Sequence, residues 1–116
     1  NCPSKDVTGD NGIGFGKMHM KTDVYQNPAY MWDRSPLKYA DRVKTPTLFI
    51  HGEADTRCHP SQAMMMFSAL RERGVPARMA LFRGETHELC RSGKLRNRMR
   101  RLNEAARWLD AYCRTK

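Results

Sequence analysis

Lys44-Thr45-Pro46-Thr47-Leu48-Phe49-Ile50-His51-Gly52-Glu53-Ala54-Asp55 is the stretch that decides the fold. The residue before a proline is pushed towards extended backbone, so Thr45-Pro46 closes whatever precedes it. Thr47 to His51 is then continuously apolar or β-branched instead of alternating, the pattern of a strand covered on both faces in a parallel sheet. Gly52 ends the strand, and Glu53 to Pro60 reads as a loop.

Downstream, Pro60 or Ser61 can open a helix and Gly74 can stop it, which predicts a helix from about Ser61 to Arg73 with Ala63, Met66 or Phe67, and Leu70 facing inward. At most two of Met64, Met65 and Met66 can face the core at helical spacing, and packing is favoured over a partner surface. Val75-Pro76 turns the chain into a second strand, Ala77 to Phe82, whose apolar content is Met79, Leu81 and Phe82. Gly84 to Glu88 is a loop. From about Lys94 to Cys113, Leu95, Met99, Leu102, Ala106, Leu109 and Cys113 recur in alternating steps of four and three. They predict an amphipathic helix with that stripe buried, widened by Trp108 and Tyr112.

Upstream, Ser35-Pro36 starts a turn and Leu37 to Val43 predicts one helical turn. Residues 1–34 are rich in Gly, Asp, Asn and Met without a sustained period, and read as a loop-rich segment with one short helix. That helix is Pro28 to Asp33, capped by Asn27 with Pro28 at its first position. Gly12-Ile13-Gly14-Phe15-Gly16-Lys17 resembles a phosphate loop but fails in detail. Asn11 stands where the first glycine is needed and Met18 where the hydroxyl is needed, so it reads as a flexible loop.

Strand, helix, strand, helix is a βαβα unit, expected to pair in parallel through a right-handed crossover. Two parallel strands leave an open edge and a poorly covered face, so the pattern is one end of a larger sheet. The 116 residues suit one domain rather than two. The chain opens on Asn1 with no signal-peptide pattern, and reads as processed or as a piece of something longer. Its apolar runs fall far short of the ~20 residues of a membrane helix, which predicts a soluble chain with no membrane partner.

The formal net charge of +9 is uneven. Residues 1–56 hold seven basic and seven acidic side chains, whereas residues 57–116 hold fourteen and five. Arg91 to Arg101 alone carries six basic residues and no acidic one. A nucleic-acid partner is disfavoured, since no aromatic side chains interleave the run and no known nucleic-acid motif accompanies it. A solvated or domain-facing surface is the preferred reading. Cys2, Cys58, Cys90 and Cys113 show no C-x-x-C spacing and read as reduced thiols, which favours a cytoplasmic setting. A Cys58–Cys90 disulfide is the lesser alternative. Zinc on Cys58, His59, His87 and Cys90 is disfavoured, because adjacent residues seldom both reach one tetrahedral ion.

In open α/β sheets, reactive groups sit just beyond the C-terminal strand ends. Asp55 follows the first strand and His87 the second. A carboxylate on one loop and an imidazole on the next can form the acid and base of a nucleophilic triad, in the chain order Ser, acid, His found in α/β-hydrolases. Glu85 lies too close to His87 on the same loop to be a good rival for the acid. His51, at a strand end, reads as a packed, hydrogen-bonded histidine, and His19 and His59 as exposed or loop residues.

At these residues the sequence resembles the C-terminal end of the catalytic domain of prolyl oligopeptidase-type serine peptidases, the acylaminoacyl-peptidase and dipeptidyl-aminopeptidase branch in particular. The matching stretches are Ser35-Pro36-Leu37-Lys38-Tyr39-Ala40, Lys44 through Asp55, and Gly84-Glu85-Thr86-His87-Glu88-Leu89. The helix with Gln62, Ala63 and Leu70 before Gly74-Val75-Pro76 also fits, and together these cover residues 35–113. The resemblance implies that residues 35–116 are the C-terminal part of an α/β-hydrolase domain, with Asp55 as triad acid and His87 as triad base. Glu53 precedes the position the family uses. It further implies oligopeptide or acyl-peptide substrates, no metal or organic cofactor, the rest of the catalytic domain and a β-propeller as partners, and residues 1–34 bordering the substrate site.

One departure is large. None of Ser4, Ser35, Ser61, Ser68 and Ser92 stands in a G-x-S-x-G nucleophile elbow. The chain alone is therefore expected to be inactive. A carboxylesterase or dienelactone-type hydrolase shares the triad order and is the chemical alternative. A basic stand-alone binding module is the alternative from another class, and self-association hiding the open sheet edge is the structural one.

Overall fold

Two half-buried strands organise the molecule, and the helices lie on either side of them in sequence. The computed structural model describes residues 16–114: α1 (Gly16–Met20), α2 (Pro28–Asp33), a 3-10 segment (Pro36–Arg42), β1 (Thr47–Gly52), α3 (Pro60–Glu72), β2 (Ala77–Phe82) and α4 (Leu95–Cys113). Cys2 and the glycine-rich stretch up to Phe15 lie outside the described residues. β1 and β2 pair in parallel, with Thr47 opposite Ala77 and Gly52 opposite Phe82. A register without offset brings both strands to their C-terminal ends at the same level.

The local signals explain the element ends. The Asn27 side chain accepts from the Tyr30 N–H to cap α2, with Pro28 in its first turn. α3 begins at Pro60, with the His59 ring accepting from the Ser61 N–H, and it stops before Gly74, whose φ of 71° is the left-handed conformation that L side chains avoid. The predicted turn at 37–43 is a 3-10 segment one residue earlier, Pro36–Arg42, tied back to α2 by Lys38 on the Asp33 carboxylate at 2.7 Å. That ammonium, with the Tyr39 hydroxyl, holds the Asp33 carboxyl below its usual range. α1 is a helix that the sequence pattern does not predict, because five residues are too few to display a helical period.

α3 packs one face of the sheet. Leu70 is wholly buried with Val75 and Ala77, and Val43, Phe49, Met66 and Phe67 close around them. Phe49 and Phe67 meet edge to face at 6.2 Å. Of the three methionines only Met66 joins this core, while Met64 and Met65 are exposed. Leu70→Ala should destabilise the chain by about 2–5 kcal/mol, from lost burial plus the cavity left among Val75, Ala77 and Phe67. Urea titration followed by circular dichroism reads the loss.

Two expectations need correcting. β1 is half-buried along most of its length instead of covered on both faces, since the sheet of the described residues has two strands. α4 also presents a different face from the predicted one. Leu95, Met99, Leu102, Ala106, Leu109 and Cys113 are exposed, whereas Asn97, Arg101, Glu104, Ala105 and Trp108 are the half-buried positions. At 100° per residue the centres of those two sets lie about 130° apart around the helix. The sheet side is fixed by the bulk of Trp108, the small Ala105 and a 3.0 Å ion pair from Glu104 to Arg78 on β2. Trp108 stacks on Tyr112 at 4.5 Å, and the two line an apolar groove of about 570 Å³ between α4 and β1. Among the described residues no helix is long and apolar enough to cross a membrane.

Candidate active site

Both reactive loops leave the sheet side by side, and backbone bonds continue the pairing past the strands. The Glu53 N–H donates to the Phe82 carbonyl at 3.0 Å and the Ala54 N–H to the Glu85 carbonyl at 2.9 Å. Such closeness requires Gly52: a Cβ there would come within 2.7 Å of the Thr86 carbonyl oxygen and closer still to that of Glu85. Both obstacles are backbone and cannot rotate away. Gly52→Ala should therefore part the loops and lower stability by about 1–3 kcal/mol, read by denaturant titration.

Asp55 is turned inward and only 4% exposed. Its Oδ1 accepts from the N–H groups of Arg57 (3.0 Å) and Cys58 (2.8 Å), an Asx-type turn that fixes the carboxylate plane. Oδ2 faces the other loop and lies 2.9 Å from His87 Nδ1. The two residues singled out from the sequence are thus in direct contact across 32 residues of chain. With its proton on Nδ1 the His87 ring is a base at Nε2, and its side chain is 40% exposed, open to a reacting group.

A third group stands at the carboxylate that the sequence did not reveal as such. His51 Nε2 donates to the Cys58 carbonyl at 2.7 Å and lies 3.4 Å from Asp55 Oδ2. His51 is hydrogen-bonded at the strand end as expected, and it also closes the loop that carries Asp55. The spacing of His51 and Asp55 across Gly52 was the available signal.

The rival acids are placed elsewhere. Glu53 is exposed. Glu85 is 4% exposed, but its carboxylate turns away from His87 and accepts from the Lys94 N–H at 3.1 Å and from the Asn97 side-chain amide. Glu88 bridges Arg91 at 2.6 Å and Arg57 at 3.9 Å, linking the acid loop to the base loop at the surface.

A cavity of about 360 Å³ opens at the pair, bordered by Asp55, His87, Cys58, Cys90, Thr86 and Arg101. Cys58, Cys90 and Cys113 are not joined in disulfides among the described residues. Arg101, assigned from the sequence to a solvated basic run, instead runs beneath the cavity with its Nε buried and unbonded among the described residues. Among the described residues no three His, Cys, Asp or Glu side chains are grouped to hold a metal. Chemically, the site can orient an imidazole, stabilise its protonated form and exchange a proton at Nε2. Among the described residues no serine borders this cavity.

Comparison with known proteins identifies relatives of the chain. Residues 2–116 match the model of the prolyl oligopeptidase family. The chain is 40% identical over 103 residues to the uncharacterized peptidase YuxL of Bacillus subtilis, covering 89% of this chain and 16% of that protein. It is 44% identical over 61 residues to the pig acylamino-acid-releasing enzyme, covering 53% and 8%. Among solved structures, acylaminoacyl peptidase of Pyrococcus horikoshii superposes with a TM-score of 0.85 at 29% identity, over 91% of this chain and 17% of that one. An acylaminoacyl peptidase in complex with Z-Gly-Gly-Phe-chloromethyl ketone superposes at 0.76 and 30% identity, over 90% of this chain and 17% of that one. The chain spans about a sixth of the length of the first of these relatives and of both solved structures.

Proposed function

The chain belongs to the prolyl oligopeptidase family, as a piece of α/β-hydrolase architecture, and from that premise we propose that it contributes the acid and base of a Ser-Asp-His peptidase. Asp55 is the acid and His87 the base. The serine and the oxyanion hole come from residues outside these 116. The observation that carries the reading is the 2.9 Å contact between His87 Nδ1 and Asp55 Oδ2 at the ends of two parallel strands.

In this mechanism His87 Nε2 takes the proton of the serine hydroxyl as it attacks the scissile carbonyl, then returns it to the leaving amine. Water, deprotonated by the same nitrogen, releases the acyl group. Asp55 holds the ring in the Nδ1–H tautomer and stabilises the imidazolium that forms. No metal or organic cofactor enters these steps. The substrates are oligopeptides or acyl-peptides, with residues 35–116 as the C-terminal part of the catalytic domain, residues 1–34 bordering the substrate, and a β-propeller elsewhere in the polypeptide.

Two polypeptides test this. The 116-residue chain should release no p-nitroaniline from acetyl-alanyl-p-nitroanilide. The polypeptide encoded by the surrounding reading frame, extended to include a G-x-S-x-G elbow, should do so. Turnover by the short chain that vanishes with His87→Ala, or a surrounding frame without such an elbow, overturns the reading.

A further inference from the structure

We propose that Glu85 is the positioning residue for His87: its buried carboxylate clamps the start of α4 and so sets the loop on which the imidazole stands. The inference rests on the role given to His87 above and adds what holds that residue in place.

The loop between β2 and α4 is twelve residues long, residues 83–94, and His87 lies near its middle, 40% exposed. Its neighbours at two positions on either side, Glu85 and Leu89, are both buried, at 4% and 6% exposed. The loop is therefore pinned in, out, in, with His87 on the outward step. Leu89 is held by packing. Glu85 is held at three points: its N–H donates to the Phe82 carbonyl at 3.2 Å, its carbonyl accepts from Ala54 at 2.9 Å, and its Oε1 accepts from the Lys94 N–H and the Asn97 side chain. Oε2 sits over Gly93, where a Cβ would come within 2.6 Å of it. Through this one residue the acid loop, the base loop and α4 are joined.

The chemistry is costly unless it serves the loop. A helix can be capped by a local Ser, Thr, Asp or Asn with no charge buried. Here Lys94 at the N-cap makes no side-chain capping bond, and a carboxylate from nine residues upstream accepts from the N-cap N–H, as the Glu at the third helical residue does in a capping box. Removing a charge from water needs compensation, which the N–H, the amide and the positive end of the helix supply. A cap drawn from residue 85 does what a local one cannot: it fixes the distance from the end of β2 to the start of α4, and thereby the position of His87 against Asp55.

The test uses the chain labelled with ¹⁵N-histidine, reading the hydrogen-bonded Nδ1–H proton of His87 by NMR, with circular dichroism as the control for folding. Wild type should show a downfield, exchange-protected signal that disappears in Asp55→Ala. If wild type lacks it, the acid–base assignment fails before Glu85 is in question. Glu85→Ala should lose the signal with the helical signature retained. Glu85→Gln, whose amide oxygen can still accept from Lys94 and Asn97, should keep it. A signal unchanged in Glu85→Ala, whatever happens to its melting temperature, makes Glu85 a simple cap and overturns the proposal. Should Glu85→Ala not fold, Asn97→Ala decides, since it removes one of the two contacts: a weakened or faster-exchanging signal supports the proposal, and an unchanged one overturns it.

Discussion

His87→Ala, in a polypeptide that also carries the serine, lowers kcat by about a million-fold, the size of effect seen when the base of a serine triad is removed. The reason lies in the absence of a substitute at the right place. His51 is the other imidazole at the Asp55 carboxylate, but its Nε2 is committed to the Cys58 carbonyl at 2.7 Å. Rotating it towards the cavity would release that carbonyl and the turn that holds Asp55. KM should change little, because His87 acts on the bond-making proton and not on substrate side chains. Steady-state kinetics on a chromogenic acylaminoacyl substrate measures both. A fall in kcat of less than about a hundredfold would mean that another base carries the reaction, since general base catalysis alone contributes at least that much.

Asp55→Asn is the second large effect, about ten-thousand-fold in kcat, by analogy with the same change in other serine triads. Here the direction can be derived from the hydrogen bonds. Oδ1 accepts two backbone N–H groups, so the asparagine must keep its oxygen there and turn its NH₂ into the place of Oδ2. That NH₂ faces His87 Nδ1 as a donor. The ring must then accept at Nδ1 and carry its proton on Nε2, the wrong tautomer for a base. The fold should survive, because the Asx-type turn is intact. The ¹⁵N shifts of His87 should report the exchange of protonated nitrogens, and a mutant that keeps the Nδ1–H form with full kcat would contradict the acid's role.

How much of this could be read beforehand differs by residue. β1 and β2 were legible because Thr47 to His51 and Ala77 to Phe82 are bounded by Pro and Gly signals that act locally. The approach of Asp55 to His87 followed from strand order and from where reactive groups lie in parallel sheets, with no contact visible in the sequence. α4 was legible as a helix but not in its orientation. A period of 3.6 identifies the apolar stripe of Leu95, Met99 and Leu102, but it does not identify what that stripe will meet, and the ion pair of Glu104 with Arg78 depends on a strand 26 residues earlier. The sequence shows Glu85 only as a rival acid, because a cap nine residues from its helix leaves no pattern of the kind a local capping box leaves.

The backbone bonds that run on past β1 and β2 have a consequence for engineering. Among the described residues, the hydrogen bonds named above that set Asp55 against His87, from the Phe82 and Glu85 carbonyls to the clamp on Lys94 and Asn97, lie between Thr47 and Asn97. The Asp55–His87 pair is thus held by hydrogen bonds made within one short stretch of sequence. On the proposed roles of Asp55 and His87, a peptidase of this kind cut into two polypeptides upstream of Thr47 should keep the acid–base pair whole in one of them, and recovered activity should report that the two halves have been brought together.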